Sequence, residues 1–222
     1  MRRWYWVMVA GLGLCGGCVM HVDRPTEIAA GSARRPVYSV DGGVHVAAHA
    51  RAGKIRSVDG GVVLDDWAAA TAIKAVDGGV SMGRQAVCVK NLSSVDGRVT
   101  LARGARVGGE LHTYVASLDA TDAEIGGAIR TVSGHVALHG ITHVGGGIYL
   151  DKPKPSTDPT DEVWKRLPVV VVGPGVAVDG PVVAQRGGTL WVSRRARIGA
   201  VSGLRVQWFD GAAPPAGAMD AK

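Results

Sequence analysis

Three histidines carry the most recognisable metal chemistry in this chain. His135, His139 and His143 are spaced four residues apart, which on a helix would place them on one face and favour zinc binding. On strands, the same spacing spreads the side chains beyond the reach of one metal ion. Each histidine also flanks an apolar residue of the repeat described below, so we expect all three to point outward. We therefore predict no metal site and no cofactor.

Four aspartates recur in one phrase and suggest calcium as a second ion. Asp41, Asp59, Asp77 and Asp96 each stand between a valine and a glycine, and a column of carboxylates can bind Ca²⁺. However, Val-Asp-Gly-Gly-Val is not the glycine-rich nonapeptide of calcium-binding β-rolls. Glycine accepts positive φ without steric penalty, and aspartate tolerates the left-handed region. The aspartates are therefore predicted to make corners rather than to bind an ion.

Carbohydrate chemistry is the remaining catalytic option. Trp164, Trp191 and Trp208 are suited to stacking on sugars, and some parallel β-helices bind or cleave polysaccharides. Cleavage needs long loops that wall a cleft and a cluster of carboxylates facing it, whereas most repeats here are tight. Trp208 and Phe209 also suit the covering of a stack end. We predict no catalytic residue and no enzyme, and keep a polysaccharide-binding or polysaccharide-cleaving protein as the alternative.

The elements that would position these residues come from an internal repeat. The phrase Ser-Val-Asp-Gly-Gly-Val occupies 39–44 and 57–62 and returns in altered form at 75–80 and 94–99, with steps of 18 and 19 residues. Val-Gly-Gly at 107–109 and 144–146 and Ile-Gly-Gly at 125–127 continue the same period. Self-similarity at this period is typical of a solenoid in which each unit buries its apolar side chains only against its neighbours.

Three apolar columns run through the repeat and set its secondary structure. Two of them lie two residues apart, which is the period of a strand with one face buried. The columns are Val37, Ile55, Ile73, Leu92, Leu111, Ile129 and Ile148; then Val44, Val62, Val80, Val99, Leu118 and Val136; and then Val46, Leu64, Met82, Leu101, Ala120 and Leu138. The predicted fold is all-β: a single-stranded parallel β-helix of about eight coils, with 18–19 residues in each of the regular coils.

The same register divides the chain into segments. Residues 37–150 form coils 1–6, and 151–168, rich in proline and charge, form a loop that cannot pair as a central strand. Residues 169–209 form two looser coils, in which Val172 and Val192 are 20 apart. Residues 210–222 are predicted to be a disordered tail. Cys88 stands between Val87 and Val89 and is predicted to be a buried, free thiol.

The first residues have the outline of an export signal. Arg2 and Arg3 precede a short apolar run, which ends at Cys15-Gly16-Gly17-Cys18. This arrangement resembles the signal of bacterial lipoproteins, with 1–17 as the signal peptide and Cys18, favoured over Cys15, as the lipidated residue. A plain signal peptide or an uncleaved anchor is the alternative. Residues 18–36 are predicted to be a flexible tether, and Val19, rather than Asp, after the cysteine favours the outer membrane, facing the periplasm.

The charge gives little support to a nucleic-acid partner. Removal of residues 1–17 would take away Arg2 and Arg3 and lower the formal net charge from +6 to +4. The remaining cations are dispersed along the sequence, and the densest run, Arg194-Arg195-Ala196-Arg197, has no aromatic stacking set beside it. We predict no nucleic-acid binding.

The glycine-punctuated run 170–182, followed by Leu190-Trp191-Val192 and by 196–199, resembles the bactofilin-like, polymer-forming β-helical proteins of bacteria, some of them exported lipoproteins. The likeness covers roughly 37–209. It implies a right-handed β-helix, end-to-end self-association and a scaffolding role near the envelope. The expected function is a non-catalytic, lipid-anchored envelope protein with a structural or binding role, whose partners are the membrane, further copies of itself and cell-wall polysaccharide.

Overall fold

The computed structural model describes residues 19–21, 24–32, 35–153 and 167–216. Across these residues the chain is entirely strands, turns and bends, without a helix. The strands are β1 (Val19–His21), β2 (Thr26–Ile28), β3 (Val37–Ser39), β4 (Val44–Val46), β5 (Arg51–Ser57), β6 (Val62–Leu64), β7 (Ala69–Asp77), β8 (Val80–Met82), β9 (Val87–Cys88), β10 (Leu92–Asp96), β11 (Arg98–Leu101), β12 (Arg106–Val107), β13 (Leu111–Thr113), β14 (Ser117–Thr121), β15 (Glu124–Ile125), β16 (Ile129–Thr131), β17 (Val136–His139), β18 (His143–Val144), β19 (Ile148–Leu150), β20 (Val169–Val172), β21 (Ala177–Val178), β22 (Val182–Ala184), β23 (Thr189–Ser193), β24 (Val201–Ser202) and β25 (Arg205–Phe209).

The strands stack into three parallel ladders, which are the faces of a rod. Face 1 consists of β1, β3, the second halves of β5 and β7, β10, β13, β16, β19, β22 and β24. Face 2 consists of β2, β4, β6, β8, β11, β14, β17, β20, β23 and β25. Face 3 consists of the first halves of β5 and β7 and of β9, β12, β15, β18 and β21. Strands β5 and β7 therefore bend around the corner between faces 3 and 1.

The predicted columns form the core, and the β-helix prediction is confirmed. The chain makes about nine turns, roughly 19 residues apart, which at ~4.8 Å per strand gives a rod about 43 Å long. Val37 pairs in register with Ile55, and Val44 with Val62. These columns extend beyond the six regular coils into the predicted looser coils, to Val182 on face 1 and to Leu190 on face 2. Their side chains are almost wholly buried, so hydrophobic burial along the axis holds the coils together.

The N-terminal segment 18–36, predicted to be a flexible tether, contributes β1 and β2 to the rod. Thr26 pairs with Val44 and Ile28 with Val46, and both side chains are buried as the first members of the face 2 columns. On face 1, β1 pairs with β3 through Val19 and Val37. The Val-Asp-Gly-Gly phrase is absent from this coil, so the repeat alone did not reveal it. This N-terminal coil lies before the six coils predicted for residues 37–150 and lengthens the rod.

The predicted loop 151–168 lies between two coils that remain in register. Ile148 pairs with Val182, and Leu138 with Val172, so both ladders step over 34 residues at this point. Residues 154–166 lie outside the described part of the chain. The next turn has the predicted 20-residue step, because Val172 pairs with Val192. The last strand ends at Phe209, and residues 217–222 of the predicted tail are outside the description.

The Asp-Gly-Gly corners exist, but positive φ is not the reason for their glycines. None of the six glycines in the first three phrases has positive φ, and only Gly97 of the fourth does, at 100°. The reason is contact between coils: a Cβ at Gly60 would lie 2.5 Å from the carbonyl carbon of Gly42. At Gly78 it would lie 2.6 Å from the carbonyl carbon of Gly60. Each corner thus stacks backbone directly on backbone.

Buried hydroxyl groups support these corners from inside. Ser39 Oγ donates to the carbonyl oxygen of Gly42 at 2.5 Å, and Ser94 Oγ donates to the carbonyl oxygen of Asp96 at 3.1 Å. Ser39 pairs with Ser57 in the ladder, so these two hydroxyls stack beside the glycines, whereas Ala75 occupies the same place in the next coil. A buried carbonyl without a partner would cost about 1–3 kcal/mol. The serine of the repeated phrase therefore has a structural role that its sequence position did not reveal.

Left-handed backbone occurs at another corner, between faces 2 and 3. Its non-glycine members are His49, Trp67, Gln85 and Asp122, with φ between 50° and 63°. In other coils the same position is a glycine: Gly31, Gly104, Gly140 and Gly175. The coil geometry therefore requires left-handed backbone at this position, and glycine is one of several residue types that adopt it here.

Replacement of Gly60 by alanine tests the corner stacking. We expect Gly60→Ala to lower the free energy of unfolding by about 1–3 kcal/mol, because the new methyl group would overlap the Gly42 backbone. Gly61→Ala is the matched control: it lies in the same corner, and its Cβ would be 3.4 Å from the nearest atom, an ordinary contact. Denaturant unfolding of both variants measures the difference. Equal stability of the two variants would contradict the proposed stacking.

Candidate functional site

The structure does not bring the three histidines into a metal site. His143 lies on β18 in face 3, and its Nε2 is 2.9 Å from a carboxylate oxygen of Asp179 in the next coil. His139 ends β17 in face 2 and is half-buried, as is His135 just before that strand. Within the described residues, no group of three or more histidine, cysteine or acidic side chains is arranged to hold a metal ion.

The repeated aspartates do form a stacked column. Asp77 pairs with Asp96, and the Asp59 and Asp77 N–H groups donate to the carbonyl oxygens of Val40 and Val58, both at 2.7 Å. The backbone therefore builds the column, and all four carboxylates are exposed at the corner between faces 1 and 2. In the fourth corner the Asp96 carboxylate accepts the Gly97 N–H at 2.6 Å. This is the corner role that the sequence predicted.

Cys88 is a buried free thiol, as predicted. It occupies an inward position of face 3, with Sγ 3.6 Å from the Lys90 carbonyl oxygen and 3.5 Å from the Asn91 carbonyl oxygen. Burial raises the pKa of the thiol from 9.0 to about 11, an effect that the Lys90 hydrogen bond offsets only in part. A nucleophilic cysteine needs a lowered pKa and access to solvent. Cys88 therefore fills the core.

The two described tryptophans that are suited to stacking on sugars, Trp191 and Trp208, do not share a surface. Trp191 on β23 pairs with Gln207 and faces outward from face 2. Its indole Nε1 is buried without a hydrogen-bond partner. Trp208 on β25 pairs with Val192 and stands in an inward column, so the two side chains leave opposite sides of the sheet. Trp164 lies outside the described residues.

The C-terminal end of the rod is open. Val206 continues the column of Leu190, and Trp208 that of Val192, yet these side chains are 37% and 52% exposed. The two columns are buried in every earlier coil of face 2. Strand β25 is the terminal strand of that ladder and, among the described strands, pairs only with β23. Phe209 is buried, but no described strand covers Val206 and Trp208.

A cluster of cations on the N-terminal half of the rod was missed in the sequence. Lys54, Arg56, Lys74 and Lys90 are exposed around the corner between faces 3 and 1. Arg56 pairs directly with Lys74 across two strands. Lys54, Lys74 and Lys90 line a shallow groove, which we call the basic groove; its other lining residues are Ala72, Ile73, Val89, Asn91, Ser93, Gly108 and Gly109. The cations look dispersed in sequence because neighbours in space are one coil apart.

No family model, no curated protein and no solved structure matches this chain. The β-helix repeat architecture is shown by the structure. The described residues contain no helix of the length and apolar character needed to cross a membrane.

Thiol labelling tests the burial of Cys88. In a Cys15→Ser/Cys18→Ser variant, Cys88 is the sole thiol, and we expect an aromatic disulfide reagent at pH 8 to react with it at least ~100-fold more slowly than in denaturant. Its raised pKa leaves little thiolate at that pH, and burial blocks the reagent. The control adds Cys88→Ser and Val89→Cys, which moves the thiol to a neighbour that is 57% exposed. Equally rapid reaction of both proteins would contradict the assignment.

Proposed function

We propose that this chain is a non-catalytic structural protein of the bacterial cell envelope, anchored by a lipid on Cys18 and able to associate end to end. The open C-terminal end is the observation that carries the proposal. A β-strand with a free edge offers unpaired N–H and C=O groups to another chain. Val206 and Trp208 add exposed apolar surface at that edge. This combination is suited to the addition of a further coil from a second molecule.

Head-to-tail contact is the geometry that would extend the fold. Face 2 ends in β25 at one end of the rod and in β2 at the other. If β25 of one molecule pairs with β2 of the next, the parallel ladder continues and the columns of Val206 and Trp208 meet those of Thr26 and Ile28. Contacts between unlike ends that do not close into a ring produce filaments. This agrees with the polymer-forming, bactofilin-like character proposed from the glycine-punctuated run at 170–182.

The anchor is proposed from the first residues. Residues 1–17 have the outline of a lipoprotein signal, and Cys18 follows two glycines. Cys15 and Cys18 lie outside the described residues. Strand β1 begins at Val19, so a lipid on Cys18 would sit directly on the first coil. Val19 after the cysteine supports the outer membrane, facing the periplasm, as the location.

Polysaccharide binding is the second candidate, and the basic groove favours it. Cleavage has less support, because the three lysines that line the groove stand there without a carboxylate to act as a general acid or nucleophile.

Replacement of Trp208 tests end-to-end association. We expect the parent protein to form filaments in electron micrographs and to sediment faster as its concentration rises. Trp208→Glu should lower the association constant at least ~tenfold, because the charge would be buried at the contact. Trp67→Glu is the control, since Trp67 is 57% exposed on a side corner of the rod. A parent that remains a short single rod at every concentration would contradict the proposal.

Replacement of each N-terminal cysteine tests the anchor separately. We expect Cys18→Ser to abolish incorporation of labelled fatty acid, to keep residues 1–17 on the protein and to release it from the membrane fraction. Cys15→Ser should leave all three properties unchanged. Loss of the label in Cys15→Ser alone would move the lipid to Cys15. Absence of the label from the parent would refute the lipid anchor without bearing on end-to-end association.

A further inference from the structure

We propose that the basic groove binds an acidic polysaccharide, with carboxylate groups on successive sugars held by Lys54, Lys74 and Lys90. The proposal concerns the side of the rod and depends neither on end-to-end association nor on the lipid. It rests on the spacing of the cations, on their lack of internal partners and on the shape of the groove.

The spacing comes from the ladder itself. Lys54 lies on β5, Lys74 on β7 and Lys90 between β9 and β10, so the three ammonium groups come from three consecutive coils. Consecutive coils are ~4.8 Å apart. Lys54 pairs with Ala72, and Lys74 lies two residues further along the same strand, so the three cations form a staggered row with one cation in each coil. An extended uronic-acid chain that crosses these coils would meet one ammonium group per coil.

Among the described residues, these cations have no carboxylate partner in an ion pair. Other arginines on the rod do: Arg84 pairs with Asp66, and Arg103 with Asp122. In contrast, no ion pair joins Lys54, Arg56, Lys74 or Lys90 to any described residue. Like charges directly opposite each other in a sheet are destabilising, as Arg56 and Lys74 are here. An external polyanion would supply the missing counter-charge.

The lining of the groove suits a sugar chain. Ala72, Gly108 and Gly109 are small residues along it, and the Cβ positions that the two glycines lack point at Val89 and Asn91 of the preceding coil. The amide oxygen of Asn91 accepts the Glu110 N–H at 3.1 Å, which orients the Asn91 side chain. Val89, 57% exposed beside these groups, offers an apolar contact to the C–H face of a sugar ring.

The same lining disfavours the two other common polyanions. Single-stranded nucleic acids bind through aromatic platforms as well as charge, and no aromatic side chain lines this groove. The Tyr38 ring is covered by Arg56, whose guanidinium carbon lies 5.6 Å from the ring centroid. An anionic bilayer presents a plane, whereas the three lysines line a groove. A linear chain with pendant carboxylates fits both the charge and the shape.

Binding of polygalacturonate oligomers to the full chain tests the proposal by calorimetry at low and at physiological salt. We expect saturable binding that weakens with salt, and no binding of the methyl-esterified oligomer. Lys54→Gln/Lys74→Gln/Lys90→Gln should reduce affinity at least ~tenfold, whereas Lys54→Arg/Lys74→Arg/Lys90→Arg should retain it. The matched control, Arg98→Gln/Arg195→Gln/Arg197→Gln, removes the same charge from exposed sites elsewhere and should bind like the parent.

Several results would overturn the proposal. An equal loss of affinity in the two glutamine triples would show attraction to net charge rather than to the groove. Tighter binding of phosphatidylglycerol vesicles or of oligothymidylate than of polygalacturonate would assign the cations to a lipid surface or to nucleic acid. Protection of Cys88 from thiol reagents in every variant verifies that the coils around the groove remain folded. Filament formation by the lysine variants would separate this proposal from end-to-end association.

Discussion

The close stacking of one coil on the next is the constraint on which the whole rod depends. Strand pairing fixes the separation of the coils, and at the Asp-Gly-Gly corners this separation leaves no room for a Cβ: Gly60 lies over Gly42, and Gly78 over Gly60. Because the corners cannot spread, each strand residue is placed directly over its ladder partner in the preceding coil. The hydrophobic columns, the serine hydroxyls and the surface charges all follow from that vertical alignment.

Because the coils are aligned, a residue type that recurs in successive repeats forms a continuous row along the rod. An apolar residue becomes a buried column, as from Val44 to Leu190, and a single cation per coil becomes a charged strip. Part of the rod offsets its surface charge, since arginines such as Arg84 meet a carboxylate in the adjacent coil. The N-terminal half of face 1 does not, and the last coil of face 2 leaves its apolar column uncovered. The surface features suited to binding a partner are therefore the cations without an ion pair and the uncovered apolar column.

The fold could be predicted from the sequence because burial repeats with a strand's period, and the columns headed by Val37, Val44 and Val46 were placed correctly. Two details could not be predicted. Thr26 and Ile28 belong to a coil whose corner has a different sequence, so repeat matching missed it. The glycine corners were assigned to positive φ, since a contact between coils is a three-dimensional property that local turn preferences do not contain. The basic groove was missed for a related reason: Lys54, Lys74 and Lys90 are neighbours only after the register is applied.

The insertion after β19 shows how such a rod can change over evolutionary time. Ile148 still pairs with Val182, and Leu138 with Val172, across a gap of 34 residues. A corner can therefore lengthen by many residues while both adjoining ladders keep their register. New segments could be gained, lost or exchanged there without refolding the scaffold. The same corner is a natural attachment point for a fluorescent domain or an epitope in engineered versions of this protein.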